Sequence, residues 1–142
     1  MDFSAISNKT CWIGWIVVVI VMNAYGYVVH EVGLSDTYQS LASVFRPEAE
    51  MDSMMWMMMV GGAVALLLFC YIFTLGYEGK GIMEGVRYGT LMGLFLSIPS
   101  SIDQYVIYPL TSDLAVIWFV TGVVGLIIAG AVFAAIYKPS AA

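Results

Sequence analysis

The sequence predicts an all-α integral membrane protein: a four-helix bundle with a short interfacial helix between helices 1 and 2. Hydrophobic residues make up 61% of the chain and charged residues 11%, whereas about a quarter of an average soluble domain is charged. The apolar residues are concentrated in four long runs, and about 20 such residues cross the hydrocarbon core of a bilayer. These observations exclude a large soluble domain and predict a single transmembrane domain over residues 1–142.

Each apolar run predicts one membrane helix. The runs are Cys11 to Val29, Met54 to Leu75, Ile82 to Ile102 and Leu114 to Tyr137. With their flanking residues they predict helices over about 11–30, 51–76, 82–105 and 112–137, which we number 1 to 4. Three glycines lie in the short segment 76–81, so we expect a tight turn and antiparallel packing of helices 2 and 3.

The segment after helix 1 has the pattern of a short surface helix. Leu34, Tyr38, Leu41 and Phe45 follow one another at helical spacing, with Ser35 placed to cap the helix and Asp36 in its first turn. Such a helix is expected to lie at the membrane surface with its apolar side toward the lipid. The residue before a proline avoids the helical conformation, so the helix should end before Pro47.

The basic residues predict the orientation. Lys9, Lys80, Arg87 and Lys138 fall on one side of the predicted membrane, and Arg46 falls on the other. Because cytoplasmic segments carry the excess of Lys and Arg, both termini are predicted to be cytoplasmic. The net charge of −5 argues against a nucleic-acid partner.

Helix 3 carries a row of small residues at every fourth position. We call this row the glycine ladder; it comprises Gly81, Gly85, Gly89, Gly93, Ser97 and Ser101. Small residues let two membrane helices approach closely, so Gly81 to Ser97 are predicted to form a helix-packing interface. The predicted counter-surfaces are Gly122, Gly125, Ala129 and Gly130 on helix 4, and Gly61, Gly62 and Ala65 on helix 2. Packing within one chain and packing between chains both remain open.

Asn23, Tyr27 and His30 share one face of helix 1. One interpretation is hydrogen bonding between helices; the other is a small polar ligand cavity completed by Asp103 of helix 3. His30 is the only histidine, which excludes a haem held by two histidines of one chain. We predict no cofactor, while a pigment or a shared haem on His30 remains an alternative.

Six methionines lie between residues 51 and 59. Thioethers are soft ligands that suit Cu(I), and Met51, Met54, Met55 and Met58 would be the ligands of such a site. However, the stretch contains neither Cys nor His. Methionine also fills irregular helix contacts, so we predict no metal here and keep copper as an alternative.

Glu84 and Arg87, three residues apart near the cytoplasmic end of helix 3, are predicted to form an ion pair that anchors the helix at the interface. No nucleophile–base pair, phosphate-binding loop or metal-spaced carboxylate pair is visible in the sequence. We therefore predict no catalytic residues and a protein that is not an enzyme.

Four local patterns are distinctive: Arg46-Pro47-Glu48 with Met51 after the first loop, the turn sequence GYEGKG at 76–81, the sequence EGVRYG at 84–89 and the closing Tyr137-Lys138-Pro139. Together they resemble an uncharacterised family of short bacterial inner-membrane proteins with four predicted helices, which implies that the membrane is a bacterial inner membrane. The resemblance implies that the glycine turn and the Glu84/Arg87 pair belong to a common framework. It brings no known activity.

The function predicted from these features is that of a small non-catalytic membrane subunit. It would pack against itself or against larger membrane-protein partners and stabilise an assembly within the lipid bilayer. The glycine ladder and the methionine-rich half of helix 2 would be its contact surfaces. The alternative is a transporter or small-ligand- or cofactor-binding membrane protein that uses the region of Asn23, Tyr27, His30 and Asp103.

Overall fold

The computed structural model describes residues 8–139, and in this range it is helical with no strand. The elements are α1 (Lys9–Tyr27), a π-helical segment (Val28–Gly33), α2 (Ser35–Ser40), α3 (Glu48–Leu75), α4 (Ile82–Ile107) and α5 (Ser112–Ile136). Predicted helices 1 to 4 correspond to α1 with its π-helical extension, α3, α4 and α5. The all-α class is confirmed.

Three helices are long and apolar enough to cross a bilayer: Lys9–Gly33, Glu48–Leu75 and Ser112–Ile136. α4 has similar length, but it does not meet the same apolar criterion. The reason lies in its composition, because it carries Glu84, Arg87 and Asp103 together with the glycine ladder. The structure therefore supports three apolar helices of membrane-spanning length rather than the predicted four.

α5 occupies the centre of the arrangement. α4 packs along α5, α1 packs on α5 and on α3, and α3 touches α5 more slightly. The side-chain amide of Asn8 donates to the backbone oxygen of Lys138 at 2.6 Å, which brings the two ends of the described chain together. We call this the terminal end; it also contains the 76–81 turn. The opposite end, with segments 34–47 and 108–111, is the distal end.

The main core lies in the terminal half. Its buried residues are Cys11, Val18, Phe69, Cys70, Phe73, Ala129, Phe133, Ala134 and Tyr137. The ring of Phe73 meets the ring of Phe133 edge to face at 5.5 Å and that of Tyr88 at 5.4 Å. Aromatic rings favour such geometry, so this cluster joins the four long helices at one end.

α3 and α4 meet near the turn that connects them. Gly79 and Gly81 adopt φ values of 75° and 73°, which glycine accepts without steric cost. Close to the turn, the Tyr88 hydroxyl of α4 donates to the backbone oxygen of Phe69 in α3 at 2.6 Å. Beyond this point α4 follows α5. The prediction that α3 and α4 are antiparallel neighbours therefore holds only at the turn.

The distal half of α3 stands apart from the other helices. All residues from Arg46 to Gly62 are exposed. The last tie before this stretch is the Trp15 indole of α1, which donates to the backbone oxygen of Ala63 at 2.9 Å. We call residues 46–62 the methionine segment.

The connection after α1 is also different from its prediction. α2 is a helix of six residues, and turns follow it as far as Phe45. Leu34 is buried with Leu110 and Leu114 in a second core cluster, against which Tyr38, Leu41 and Phe45 pack. The apolar side of the segment was expected to face lipid. It is instead covered by protein, because it packs against the start of α5.

Candidate functional site

The glycine ladder lies against α5 of the same chain. Gly85, Gly89, Gly93 and Ser97 are the buried residues of α4. A Cβ atom at Gly85 would overlap the backbone oxygen of Gly130, and one at Gly89 would overlap the backbone of Leu126. The two helices therefore touch backbone to backbone, as small residues allow in membrane helices.

α5 contributes small residues to the same contact. A Cβ at Gly130 would overlap the backbone oxygen of Gly85, and one at Gly122 would lie 2.6 Å from the Ser97 hydroxyl oxygen. Gly125 instead faces α1, where an added Cβ would lie 3.0 Å from Met22 and Tyr25. The predicted counter-surface on helix 4 thus serves two neighbours, and Ala129 joins the core.

Gly81 does not belong to this interface. It precedes α4 with a φ of 73°, is exposed, and a Cβ placed on it would meet nothing within 4 Å. Its place is in the turn, so including it among the packing residues was wrong. At the other end, Ser101 lines a cavity of about 410 Å³ between the distal parts of α4 and α5.

Sequence reasoning missed Gly14 of α1. A Cβ at this position would come within 2.8 Å of the Phe133 ring, so only glycine lets α1 approach α5 here. Gly14 is buried although it has no partner glycine at four-residue spacing in α1. Periodicity offered no signal for it, because the large ring that fills its place comes from another helix.

The structure does not bring Asn23, Tyr27 and Asp103 together with His30. The Asn23 side-chain amide donates to the backbone oxygen of Val19 in its own helix at 2.8 Å. Tyr27 is 63% exposed, and Asp103 is exposed on α4. The cavity predicted from these four residues is absent from the described chain, because α1 and α4 each pack on α5 and not on each other.

His30 instead takes part in a hydrogen-bond network with α2 and α5. Its Nδ1 lies 2.6 Å from the Tyr38 hydroxyl, to which the Trp118 indole donates at 2.9 Å. The rings of His30 and Tyr38 are stacked with 6.0 Å between their centroids. Burial raises the pKa of the Tyr38 phenol above its ordinary value, so this hydroxyl stays neutral over the physiological range.

A cavity of about 220 Å³ lies beside this network, between α1 and α5. Met22, Gly26 and His30 line it from α1 and its π-helical extension, and Trp118 and Gly122 line it from α5. Nearby, the Tyr25 hydroxyl donates to the backbone oxygen of Thr121 at 2.8 Å, so its polar group is already satisfied.

The methionines have no other metal-ligating side chains grouped beside them in the part of the chain that the structure describes. Met51, Met54, Met55 and Met58 share one face of α3 by their spacing. All lie in the exposed methionine segment. Residues 8–139 contain no group of three His, Cys, Asp or Glu side chains arranged to hold a metal ion. A copper site on this segment would therefore depend on thioethers alone.

The predicted ion pair of Glu84 and Arg87 is wrong for the described chain. The Glu84 carboxylate accepts hydrogen bonds from the backbone N–H groups of Glu78 at 2.6 Å and Lys80 at 2.7 Å. Glu84 lies three residues after the N-cap residue Gly81, a position from which glutamate often satisfies backbone donors at a helix start. It therefore fixes the turn, and Arg87 is exposed.

The other two charged side chains of the turn pair with each other. The Lys80 ammonium contacts the Glu78 carboxylate. Hydrogen bonding with Lys80 lowers the pKa of Glu78 below its ordinary value.

No family model, curated protein or solved structure matches this chain. The family resemblance therefore stays a prediction, and the function has to be argued from the geometry.

Proposed function

We propose that the protein is a small non-catalytic integral-membrane subunit that packs against itself or against a larger membrane-protein partner and stabilises the assembly. In this proposal four helices cross a bacterial inner membrane with both termini in the cytoplasm. α4, the least apolar of the four, crosses in contact with α5. The arrangement of the basic residues supports this orientation.

The observation that carries the proposal is the exposure of the methionine segment. Residues 46–62 are all exposed, whereas the distal part of every other long helix has residues that are buried or half-buried. Examples are Met22 on α1, Ser97 on α4 and Leu114 on α5. A helix that contributes to a bundle normally buries one stripe. Here half of α3 has no stripe covered by the described chain, which supports a contact with another protein.

The composition of the segment also supports such a contact. Methionine side chains are unbranched and adapt to irregular surfaces, and Met57, Met58 and Met59 are each more than half exposed. At the end of the segment, a Cβ at Gly61 or Gly62 would meet nothing within 4 Å. A partner helix could therefore approach the α3 backbone closely at this point.

The glycine ladder no longer serves as the proposed contact surface with other chains. Its buried members are occupied by α5. The proposal therefore places the intermolecular contact on the methionine segment alone. The alternative of a transporter built on Asn23, Tyr27, His30 and Asp103 finds no shared cavity that would support it.

The test is the effect of Gly61→Leu on the mass of the gently solubilised protein. The native complex is purified from its own membranes in mild detergent, and its protein mass is measured by light scattering. We expect a mass well above the 15.5 kDa of one chain. Gly61→Leu should reduce it to that of a single chain, because the added side chain blocks the close approach.

Gly26→Leu is the matched control. A Cβ at Gly26 also meets nothing within 4 Å, but this glycine lies on α1, outside the methionine segment. The control should keep the mass of the complex. A wild-type protein that runs as a lone chain would refute the subunit role, and equal masses for both variants and wild type would refute the assignment to this segment.

A further inference from the structure

We propose that the cavity beside His30 binds one lipid-soluble ring carrying a carbonyl acceptor, which is the chemistry of a quinone headgroup. The site lies between α1 and α5 and shares no residue with the methionine segment. It is therefore independent of the subunit role, and either proposal can fail without the other.

The hydrogen-bond network determines which atom of His30 is available to a ligand. An indole N–H can only donate, so the Tyr38 oxygen accepts from Trp118. In the tautomer of His30 whose Nδ1 is an acceptor, the Tyr38 hydroxyl donates its own hydrogen to Nδ1, and the hydroxyl then uses both partners within its reach. A neutral imidazole that accepts at Nδ1 carries its proton on Nε2. The contact with Tyr38 uses Nδ1 and not Nε2. In this tautomer the imidazole therefore offers its Nε2–H as a donor, which an acceptor on the ligand would satisfy.

The size of the cavity limits what that ligand can be. A cavity of about 150 Å³ lined by apolar side chains takes up benzene. The cavity here measures about 220 Å³, which gives room for a single substituted ring. Met22, Val29 and Trp118 provide apolar contacts, and Gly26 leaves open space where a side chain would project.

The backbone around His30 is unusual in a way that fits a binding site. Val28–Gly33 forms a π-helical segment at the end of α1. Such segments are rare and often occur at functional sites. Here the segment contributes two consecutive lining residues, Val29 and His30. His30 is also exposed, so a ligand dissolved in the membrane can reach it from outside the bundle.

The experiment measures binding of trimethyl-p-benzoquinone to the full chain in nanodiscs by equilibrium dialysis against empty nanodiscs. Trimethylbenzene, which has nearly the same shape and no acceptor, is the matched probe. We expect the quinone to bind about three- to tenfold more tightly than the hydrocarbon, since one hydrogen bond distinguishes them. His30→Phe keeps an aromatic ring beside Tyr38 and should remove this difference.

Gly26→Leu should abolish binding of both probes, because the new side chain fills the cavity. Gly61→Leu, the same change at an open position on α3, should leave binding unchanged. Circular dichroism and thermal melting establish that each variant is folded. Binding to Gly26→Leu at wild-type strength would overturn the location. Equal affinity of wild-type protein for both probes, or no binding of either, would overturn the ligand class.

Discussion

α4 and α3 are helices of similar length that meet at the same turn, yet they relate to the rest of the chain in opposite ways. α4 presents small residues at every fourth position and is pressed against α5 at its backbone. The methionine segment of α3 presents large flexible side chains, and all of it is exposed. In a membrane, apolar side chains gain little by leaving lipid for protein, so close packing decides which helices associate. Small residues brought about the intramolecular contact, and hydrophobicity alone did not.

The largest expected effect comes from adding single methyl groups to the ladder. Gly85→Ala and Gly89→Ala place a Cβ on the backbone of α5, which cannot move aside locally. Overpacking a core costs about 1–3 kcal/mol and occasionally more, and we expect these two variants at about 3 kcal/mol or above. Gly93→Ala should cost less, because its Cβ would lie 3.0 Å from Val123. Reversible unfolding in mixed micelles measures the differences.

Gly61→Ala is the control on α3, where a Cβ meets open space. It should be neutral or slightly stabilising, since glycine within a helix costs about 0.5–1 kcal/mol relative to alanine. If Gly85→Ala were as harmless as Gly61→Ala, the contrast between the two helices would have to be abandoned.

A smaller effect is expected where the distal end closes on α5. Tyr38→Phe removes the hydroxyl that accepts from the Trp118 indole and reaches His30. Leaving a fully buried donor without a partner costs about 1–3 kcal/mol, and the expected loss lies at the lower limit because the Trp118 side chain is only half-buried. Tyr27→Phe, at a tyrosine that is 63% exposed, should leave the unfolding free energy unchanged.

The same tyrosine predicts a dependence on alkaline pH. Burial raises the pKa of Tyr38 above 10.0 in the folded chain, so the folded state favours the neutral phenol. Its contribution to stability is present below pH 10.0 and is lost as the pH rises through the folded pKa. Unfolding measured on both sides of this range should show a fall that Tyr38→Phe lacks. An equal fall in the variant would contradict the assignment.

The smallest effect is expected at the 76–81 turn. Lys80 lowers the pKa of Glu78 below 4.5, so the pair contributes stability above this pH, and the contribution is lost as the pH falls through the folded pKa. The pair is exposed, and such pairs contribute little. Lys80→Met should remove this pH dependence in unfolding measured at low ionic strength, while Lys138→Met should retain it. A variant that keeps the dependence would assign it to other groups.

The helices could be predicted from the sequence, but which helices pack against one another could not. The apolar runs and the turn residues located four long helices, and the ladder pointed to close packing of predicted helix 3. However, Gly61–Gly62 of α3 and Gly130 of α5 were equally good partners for that ladder by composition. The ladder packs on α5 because Gly85 and Gly130, which both lack a Cβ, lie opposite each other at the same level along the two helices.

The candidate site could be predicted from the sequence only in part. His30 was singled out as the only histidine, and the structure places it at a cavity. Asn23 and Tyr27 were grouped with it through the regular spacing of an α-helix, and Asp103 through its predicted place at the outer end of helix 3. The chain beyond Tyr27 follows a π-helical course, and the partners of His30 come from Tyr38 and Trp118. Neither the change from α-helix to π-helix nor the contacts of His30 with other elements produces a periodic pattern in the sequence, so neither could be predicted from it.

The sequence by itself determined that the chain is helical, where its long helices lie, and that one helix carries a surface suited to close approach. These properties follow from the residue types and their spacing along a single helix. Only the tertiary structure decided that this surface is covered by α5, that the segment after α1 packs on protein, and that half of α3 is left uncovered. Those outcomes depend on which backbones meet at the same height, because packing in lipid is decided by shape and not by the amount of apolar surface.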